Sequence, residues 1–115
     1  MIKIYSYEKC STCKKALSWL RAKGVEAEII PIVEQPPPVS ELKAMLLHVG
    51  ELKKLFNTSG ELYREMKMSE RLPTLTLEDA LVLLAKNGKL VKRPFLLAEN
   101  FGCVGFKEDE WEKKF

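Results

Sequence analysis

The sequence predicts an α/β fold built on a four-stranded mixed sheet with an inserted all-helical segment. Three observations support this prediction. A strand–helix–strand pattern occupies residues 1–35, the apolar spacing of residues 36–88 is almost entirely helical, and a hairpin followed by a helix occupies residues 89–115. We therefore expect a single domain over residues 1–115, in which the segments 1–35 and 89–115 form the core and 36–88 is a helical insertion.

Residues 1–35 predict a βαβ unit. The stretch from Met1 to Ser6 is rich in β-forming residues and predicts the first strand. From Ser11 onward, four apolar residues recur at the spacing of one helical face: Cys13, Ala16, Leu17 and Leu20. Gly24 suits the position just after the end of that helix. Residues 25–32 predict a second strand, in which Val25, Ala27 and Ile29 alternate with charged or outward positions.

The remaining elements follow from turn and capping signals. Pro36 to Pro38 interrupts any ladder, and residues 40–86 then show helical spacing. A last helix of this segment begins at Thr76, whose spacing to Asp79 resembles a capping box. Residues 95–98 and 103–106 predict a hairpin, and residues 107–115 predict a final helix anchored by Trp111 and Phe115. This βαβ…ββα order is that of a thioredoxin-like fold.

Composition and charge narrow the functional classes. The chain has 115 residues, of which 46% are hydrophobic and 30% charged, as in soluble globular domains. Its net charge of +3 is spread along the sequence, which gives little support to direct nucleic-acid binding. No segment resembles a signal peptide or a membrane span. We therefore expect a cytoplasmic protein without a membrane partner.

The motif CSTC places Cys10 and Cys13 between the predicted first strand and the first helix. The amide groups and the dipole at the start of a helix favour a thiolate, and such sites lower cysteine pKa values from about 8.5 to between roughly 3.5 and 7.5. Cys13 lies three residues further on, on the same helical face, where it can attack an adduct formed on Cys10. The sequence thus predicts Cys10 as nucleophile and Cys13 as resolving thiol, joined in a redox disulfide.

Two other interpretations of the cysteine pair stay open at this point. A zinc site needs further ligands, and only His48 and Cys103 remain, neither of them in a ligand doublet. Alternatively, the two cysteines simply pack at the start of a helix. For Cys103 itself, within FGCVGF, the pattern favours a buried hydrophobic residue. We therefore predict no metal site.

Arg93 and Pro94 precede the predicted third strand. An X-Pro bond here is a candidate for the cis form, which would place a tight backbone bend near the active cysteine. The planar guanidinium of Arg93 suits an oxyanion, whether a thiolate or a tetrahedral anion such as arsenate. The alternative is an ordinary surface arginine.

The motifs of the whole chain resemble one family. The stretches YSYEKCSTCKKALSWL, FNTSGELYREM, RPFLL and VGFKEDEWEKKF are similar, in order and spacing, to the glutaredoxin-type arsenate reductases and the Spx transcription regulators. This resemblance implies a thioredoxin-like fold, a motif cysteine at Cys10, and an arginine before a cis-proline at Arg93 and Pro94. It further implies no tightly bound cofactor, with glutathione and glutaredoxin, or thioredoxin, as the reductant.

The sequence departs from the arsenate reductases at two positions. The family surrounds its anion with three arginines, and this chain has Ser59 and Phe106 at two of these positions, with Lys54 and Arg64 as candidate substitutes. Because each charge-assisted contact contributes about 1.5 to 3 kcal/mol, we expect inefficient arsenate reduction. The resemblance still implies a thiol oxidoreductase acting on a small oxyanion or a thiol/disulfide substrate, with a redoxin partner. The alternative is an Spx-like redox-sensing regulator that binds RNA polymerase.

Overall fold

The computed structural model describes residues 2–115 and contains a four-stranded mixed sheet with strand order β2-β1-β3-β4. The strands are β1 Lys3–Ser6, β2 Glu28–Pro31, β3 Phe95–Leu97 and β4 Gly102–Val104. Strand β1 is parallel to β2 and antiparallel to β3, and β3 is antiparallel to β4. The predicted α/β fold and its hairpin are confirmed. Met1, which the sequence prediction included in the first strand, lies outside the described residues.

Helices cover both faces of the sheet. The α-helices of the described chain are α1 Ser11–Ala22, α2 Val39–Val49, α3 Glu61–Glu65, α4 Met68–Arg71, α5 Leu77–Lys86 and α6 Glu108–Lys114. Short 3-10 turns lie at Leu52–Leu55, Leu72–Thr74 and Gly88–Leu90. The predicted cap of α5 is present, since the Asp79 N–H donates to the Thr76 hydroxyl at 3.1 Å. Within residues 2–115, no helix has the length and hydrophobicity that crossing a bilayer requires.

The sheet separates two hydrophobic clusters. On one face Ile4, Leu96 and Cys103 pack against α1 and α6, where Trp19 and Trp111 meet edge-to-face at 5.7 Å between ring centroids. On the other face Tyr5 and Phe95 pack under the helices of residues 39–86. Because both faces are covered, most strand residues are apolar regardless of the side to which they point. Trp111 is a core residue, as predicted, and Trp19 is buried beside it.

Strand β2 corrects one detail of the sequence prediction. Ile29 is expected on an inner face, but its side chain is 58% exposed, whereas Ile30 and Ile32 are buried. Pairing explains the difference, because Ile29 is in register with Ile4 and Ile30 with Tyr5. Strand β2 is at the edge of the sheet, and at this edge no helix covers Ile29, although it is on the same face as Ile4. The opposite face, with Ile30, is covered by the helices of residues 39–86. The strand is also shorter than residues 25–32.

The segment before β3 packs closely on the segment after β2. A Cβ atom at Gly88 would overlap the carbonyl oxygen of Ile32, so only glycine fits this position. This close approach fixes the chain shortly before Arg93, whose peptide bond to Pro94 is cis. The fold therefore brings the loop after β1 and the loop before β3 to the same end of the sheet.

Candidate active site

The turn between β1 and α1 holds Cys10 immediately before the first residue of the helix. Its N–H donates to the Tyr7 carbonyl at 3.0 Å, and its own carbonyl accepts from the Lys14 N–H at 3.1 Å. Cys10 is the N-cap residue of α1, with extended backbone angles of φ −101° and ψ 117°. The first amides of a helix have no intrahelical acceptors, so they are free to donate toward this end. Cys10 is half-buried.

Opposing effects set the pKa of Cys10, and the net result is a lowered value. Burial raises the pKa of this thiol, because desolvation disfavours its charged form. The backbone N–H and the thiol of Cys13 lower it, since both donate toward the Cys10 sulfur. The guanidinium of Arg93 lowers it further, as a donor and as a positive charge. A thiolate at Cys10 is therefore stabilised by three groups from two separate parts of the chain.

Cys13 has the opposite character. It is only 1% exposed, and burial raises its pKa to about 12. The Tyr7 N–H, 3.5 Å from the Cys13 sulfur, acts against this shift, whereas the charge and hydrogen bond of Cys10 reinforce it. Cys13 thus keeps its proton while Cys10 is a thiolate. The two thiols form an asymmetric pair, with one ionised and the other protonated.

The pairing of β1 with β3 brings Arg93 to the cysteines. Tyr5 is in register with Phe95 and Lys3 with Leu97 in this antiparallel pair. Continuing the same register past the ends of both strands sets Tyr7 opposite Arg93. The Arg93 guanidinium carbon lies 4.8 Å from the centre of the Tyr7 ring, within the range of a cation–π interaction.

Two hydrogen-bond donors of Arg93 are unpaired. Its Nε and Nη1 atoms are buried and have no hydrogen-bond partner among the described residues. Leaving such donors buried and unpaired is costly, so unpaired groups of this kind indicate a site for an acceptor. The acceptor that best matches a guanidinium is an anion with two oxygens or a thiolate. Arg93 is therefore not an ordinary surface arginine.

A wide cleft opens at Cys10. Cys10 and Arg93 line an open cavity of about 1220 Å³ that runs from the start of α1, past residues 56–60, to α6. Ser59 and Phe106, at the two positions where the resemblance leads us to expect arginines, line the same cavity. Lys54 also lines it, whereas the Arg64 guanidinium donates to the Ser59 carbonyl at 3.0 Å. Of the two candidate substitutes, Lys54 is the one in the cleft.

Cys103 and His48 both line the cleft, Cys103 as a buried residue and His48 as an exposed one. Cys103 lies in β4, is 8% exposed, and burial raises its pKa to about 12. His48 lies in the last turn of α2 and is exposed. Among residues 2–115, no three side chains of the metal-binding types form a group able to hold an ion.

Sequence reasoning missed Tyr7. Its backbone N–H faces the sulfur of Cys13, and its ring lies against Arg93, so it contacts both sides of the site. Its position three residues before Cys10 is visible in the sequence. Its contact with Arg93 depends on the register between β1 and β3, which no local pattern reveals.

Comparison with known proteins identifies the family. The model of the ArsC family matches residues 5–114, nearly the whole chain. The protein belongs to the ArsC family. Its thioredoxin-like architecture is shared with solved members: a putative ArsC family related protein from Bacteroides fragilis is 50% identical, with a TM-score of 0.91 over 97% of this chain and 95% of that one.

Relatives of different function share this ArsC domain. The protein YusI of Bacillus subtilis, named only as uncharacterized, is 46% identical and covers 96% of this chain and 95% of its own length. An arsenate reductase of Neisseria meningitidis is 31% identical, over 90% of this chain and 89% of its own. The global transcriptional regulator Spx of Enterococcus faecalis is also 31% identical, over 96% of this chain and 83% of its own. The family includes both enzymes and regulators.

Proposed function

We propose that this ArsC-family protein is a thiol–disulfide oxidoreductase in which Cys10 is the nucleophile and Cys13 the resolving thiol. The observation that carries the proposal is the asymmetry of the pair. Cys10 is half-buried at a helix start, beside a guanidinium with two unpaired donors, and its pKa is lowered. Cys13 is buried and its pKa is raised. The sulfur of Cys10 attacks the substrate, and Cys13 stays protonated until the mixed disulfide has formed.

The reaction proceeds in two exchange steps. The Cys10 thiolate attacks one sulfur of a substrate disulfide, forms a mixed disulfide, and expels the other sulfur as a thiolate. The loss of negative charge at Cys10 then removes two of the effects that hold the pKa of Cys13 high. Cys13 gives up its proton to solvent, attacks the Cys10 sulfur, and releases the second substrate thiolate. The substrate gains two electrons, and the protein is left with a Cys10–Cys13 disulfide for an external dithiol or glutathione to reduce.

Arg93 serves the anionic species of this cycle. Its free donors suit the thiolate that leaves in the first step, or an oxyanion bound next to Cys10. Stacking on Tyr7 holds the guanidinium in place before substrate arrives, which reduces the ordering needed on binding. Pro94, which directly follows Arg93, has a structural role at the site.

Of the two substrate classes, oxyanions such as arsenate have the weaker support. The arsenate reductases among the relatives motivate this activity, but in this chain Ser59 and Phe106 line the cleft where arginines would add charge. Neither a hydroxyl nor a phenyl ring supplies the planar pair of charged donors that an arginine offers to an arsenate dianion, and the lysines of the cleft supply positive charge without that geometry. A disulfide needs no such pair of donors, because only a single thiolate develops in each exchange step. We therefore favour disulfide substrates.

A regulatory role is the second candidate, motivated by the 31% identity with Spx over most of the chain. In that case the Cys10–Cys13 disulfide would be a switch, and the partner would be RNA polymerase. Pull-down of RNA polymerase by the reduced and the oxidised protein tests this. Binding in one redox state supports the regulator, and no binding in either state removes it.

Trapping experiments test the oxidoreductase. The Cys13→Ser variant should accumulate a mixed disulfide between Cys10 and a model disulfide substrate, because the resolving thiol is gone. The matched Cys10→Ser variant should form no adduct, and the wild-type protein should end as an intramolecular disulfide; mass spectrometry distinguishes all three. In parallel, arsenate turnover with glutathione and glutaredoxin should be low. Equal disulfide reduction by wild type and Cys10→Ser would disprove the proposal.

A further inference from the structure

The charge of the molecule is concentrated in the cleft that contains Cys10. The cleft is lined by Arg93 and by six of the lysines: Lys53, Lys54, Lys92, Lys107, Lys113 and Lys114. Its only acidic residues are Glu51 and Glu110. With His48 neutral, the cleft carries a charge of +5, against +3 for the whole chain, so the rest of the molecule carries −2. The spread of charge along the sequence conceals this separation in space.

The two carboxylates of the cleft offset only part of its positive charge. The three salt bridges formed within residues 2–115 join Lys3 with Glu41, Lys23 with Glu112, and Lys43 with Glu78. All of these pairs lie outside the cleft, so none of its seven cations is held in an ion pair. A concave surface with a large excess of one sign of charge focuses the electrostatic potential and raises the local concentration of opposite charge.

The size of the cleft indicates what kind of anion it accommodates. Its volume of about 1220 Å³ exceeds the roughly 300 to 1,000 Å³ of pockets that enclose small molecules, and it is open to solvent. Lys53 and Lys54 lie in the turn Leu52–Leu55 and Lys113 and Lys114 lie in α6, so separate segments bring lysines to the cleft that contains Cys10. Half-buried Val49, Val104 and Phe106 add apolar surface to the lining. Charge, size and apolar contact together match an acidic peptide better than a compact anion.

We propose that the substrate of Cys10 is a disulfide carried by an acidic segment of another protein, which docks along this lysine-lined cleft. The inference rests on the proposed oxidoreductase function and specifies its substrate. The electrons balance within one turnover: the substrate S–S bond breaks, a Cys10–substrate bond forms and is then replaced by the Cys10–Cys13 bond. The two thiols of the reduced protein therefore supply both electrons, and the lysines only bind.

Model substrates of different charge test the proposal. Heptapeptides are prepared with a central cysteine in a mixed disulfide with thionitrobenzoate, flanked by glutamates, glutamines or lysines. Reduced full-length protein, freed of excess reductant, is mixed with each, and the coloured leaving thiolate gives the rate. At about 0.01 M salt the acidic peptide should react at least about tenfold faster than the glutamine peptide, and this preference should largely vanish at about 1 M salt.

Matched charge variants show whether the cleft is responsible. The Lys53→Gln/Lys54→Gln protein should lose about threefold or more of the acidic-over-neutral rate ratio. The control Lys86→Gln/Lys89→Gln removes the same charge from exposed positions outside the cleft and should keep the ratio. Because the ratio is taken within each protein, a smaller folded fraction cancels.

The outcomes separate the two proposals. No reaction of Cys10 with any of the three peptides would overturn the oxidoreductase function itself. Equal rates for all peptides, or equal ratios in both double variants, would overturn the acidic docking surface and leave the oxidoreductase intact. Single-stranded DNA added as a competitor gives the last comparison. Its inhibition of the reaction with the acidic peptide is compared with the inhibition by an acidic peptide that has no cysteine. If the DNA inhibits at the lower concentration of the two, the cleft is assigned to nucleic acid and the proposal is overturned.

Discussion

The three cysteines of the native protein should differ sharply in reactivity. The pKa values of Cys13 and Cys103 are raised to about 12, so at about pH 7.5 roughly 3 in 10⁵ of these thiols are ionised. An ordinary thiol with a pKa of about 8.5 is roughly one-tenth ionised at that pH. Since the more basic thiolate is intrinsically more nucleophilic, the net suppression of the two buried thiols is about hundredfold before limited access slows them further.

Competitive alkylation measures this difference. Native protein is treated with limiting iodoacetamide at about pH 7.5, and peptide mass spectrometry then gives the modified fraction at each cysteine. We expect modification at Cys10 and almost none at Cys13 and Cys103. Protein unfolded in denaturant is the control, in which all three should react at similar rates. If Cys13 reacted in the native protein within tenfold of the rate at Cys10, the asymmetry on which the mechanism depends would be refuted.

Three further predictions concern single residues. Arg93→Met keeps the length of the side chain without its charge or donors, so the pKa of Cys10 should rise, as pH-dependent alkylation would show. Gly88→Ala places a methyl group on the Ile32 carbonyl, and denaturant unfolding should show a loss of at least about 2 kcal/mol; unchanged stability would contradict the packing. Because the pKa of Cys103 is raised in the folded protein, its thiol contributes stability below about pH 9 that is lost as the pH rises toward 12. Cys103→Ala should therefore reduce the loss of unfolding free energy between about pH 9 and 11 by up to about 2 to 3 kcal/mol. An unchanged dependence of the unfolding free energy on pH would exclude this contribution of Cys103.

Local patterns in the sequence were sufficient for the elements of the fold. The cap at Thr76, the break at Pro36 to Pro38 and the hairpin after Pro94 all appear where turn and capping chemistry predict them. The inner face of β2 was predicted wrongly, because both Ile29 and Ile30 are apolar and alternation gives no preference. Only the packing of helices on the sheet decides which of the two is covered.

The candidate site was predicted less completely. The position of Cys10 at a helix start follows from a short stretch of sequence, as does the burial of Cys13 on the apolar face of α1. The position of Arg93, 83 residues further along the chain, depends on the register of β1 with β3. The positive cleft likewise assembles lysines from separate segments, so a net charge of +3 gives no indication of it. These features are products of tertiary structure.

The ionisation of Cys10 is the central claim, and a spectroscopic titration tests it directly. The ultraviolet absorbance of the thiolate is followed against pH in the wild-type protein and in Cys10→Ser, and the difference isolates one sulfur. We predict a single transition with its midpoint lowered from that of an unperturbed cysteine thiol. A midpoint at or above that of a peptide spanning residues 5–20 would contradict the account.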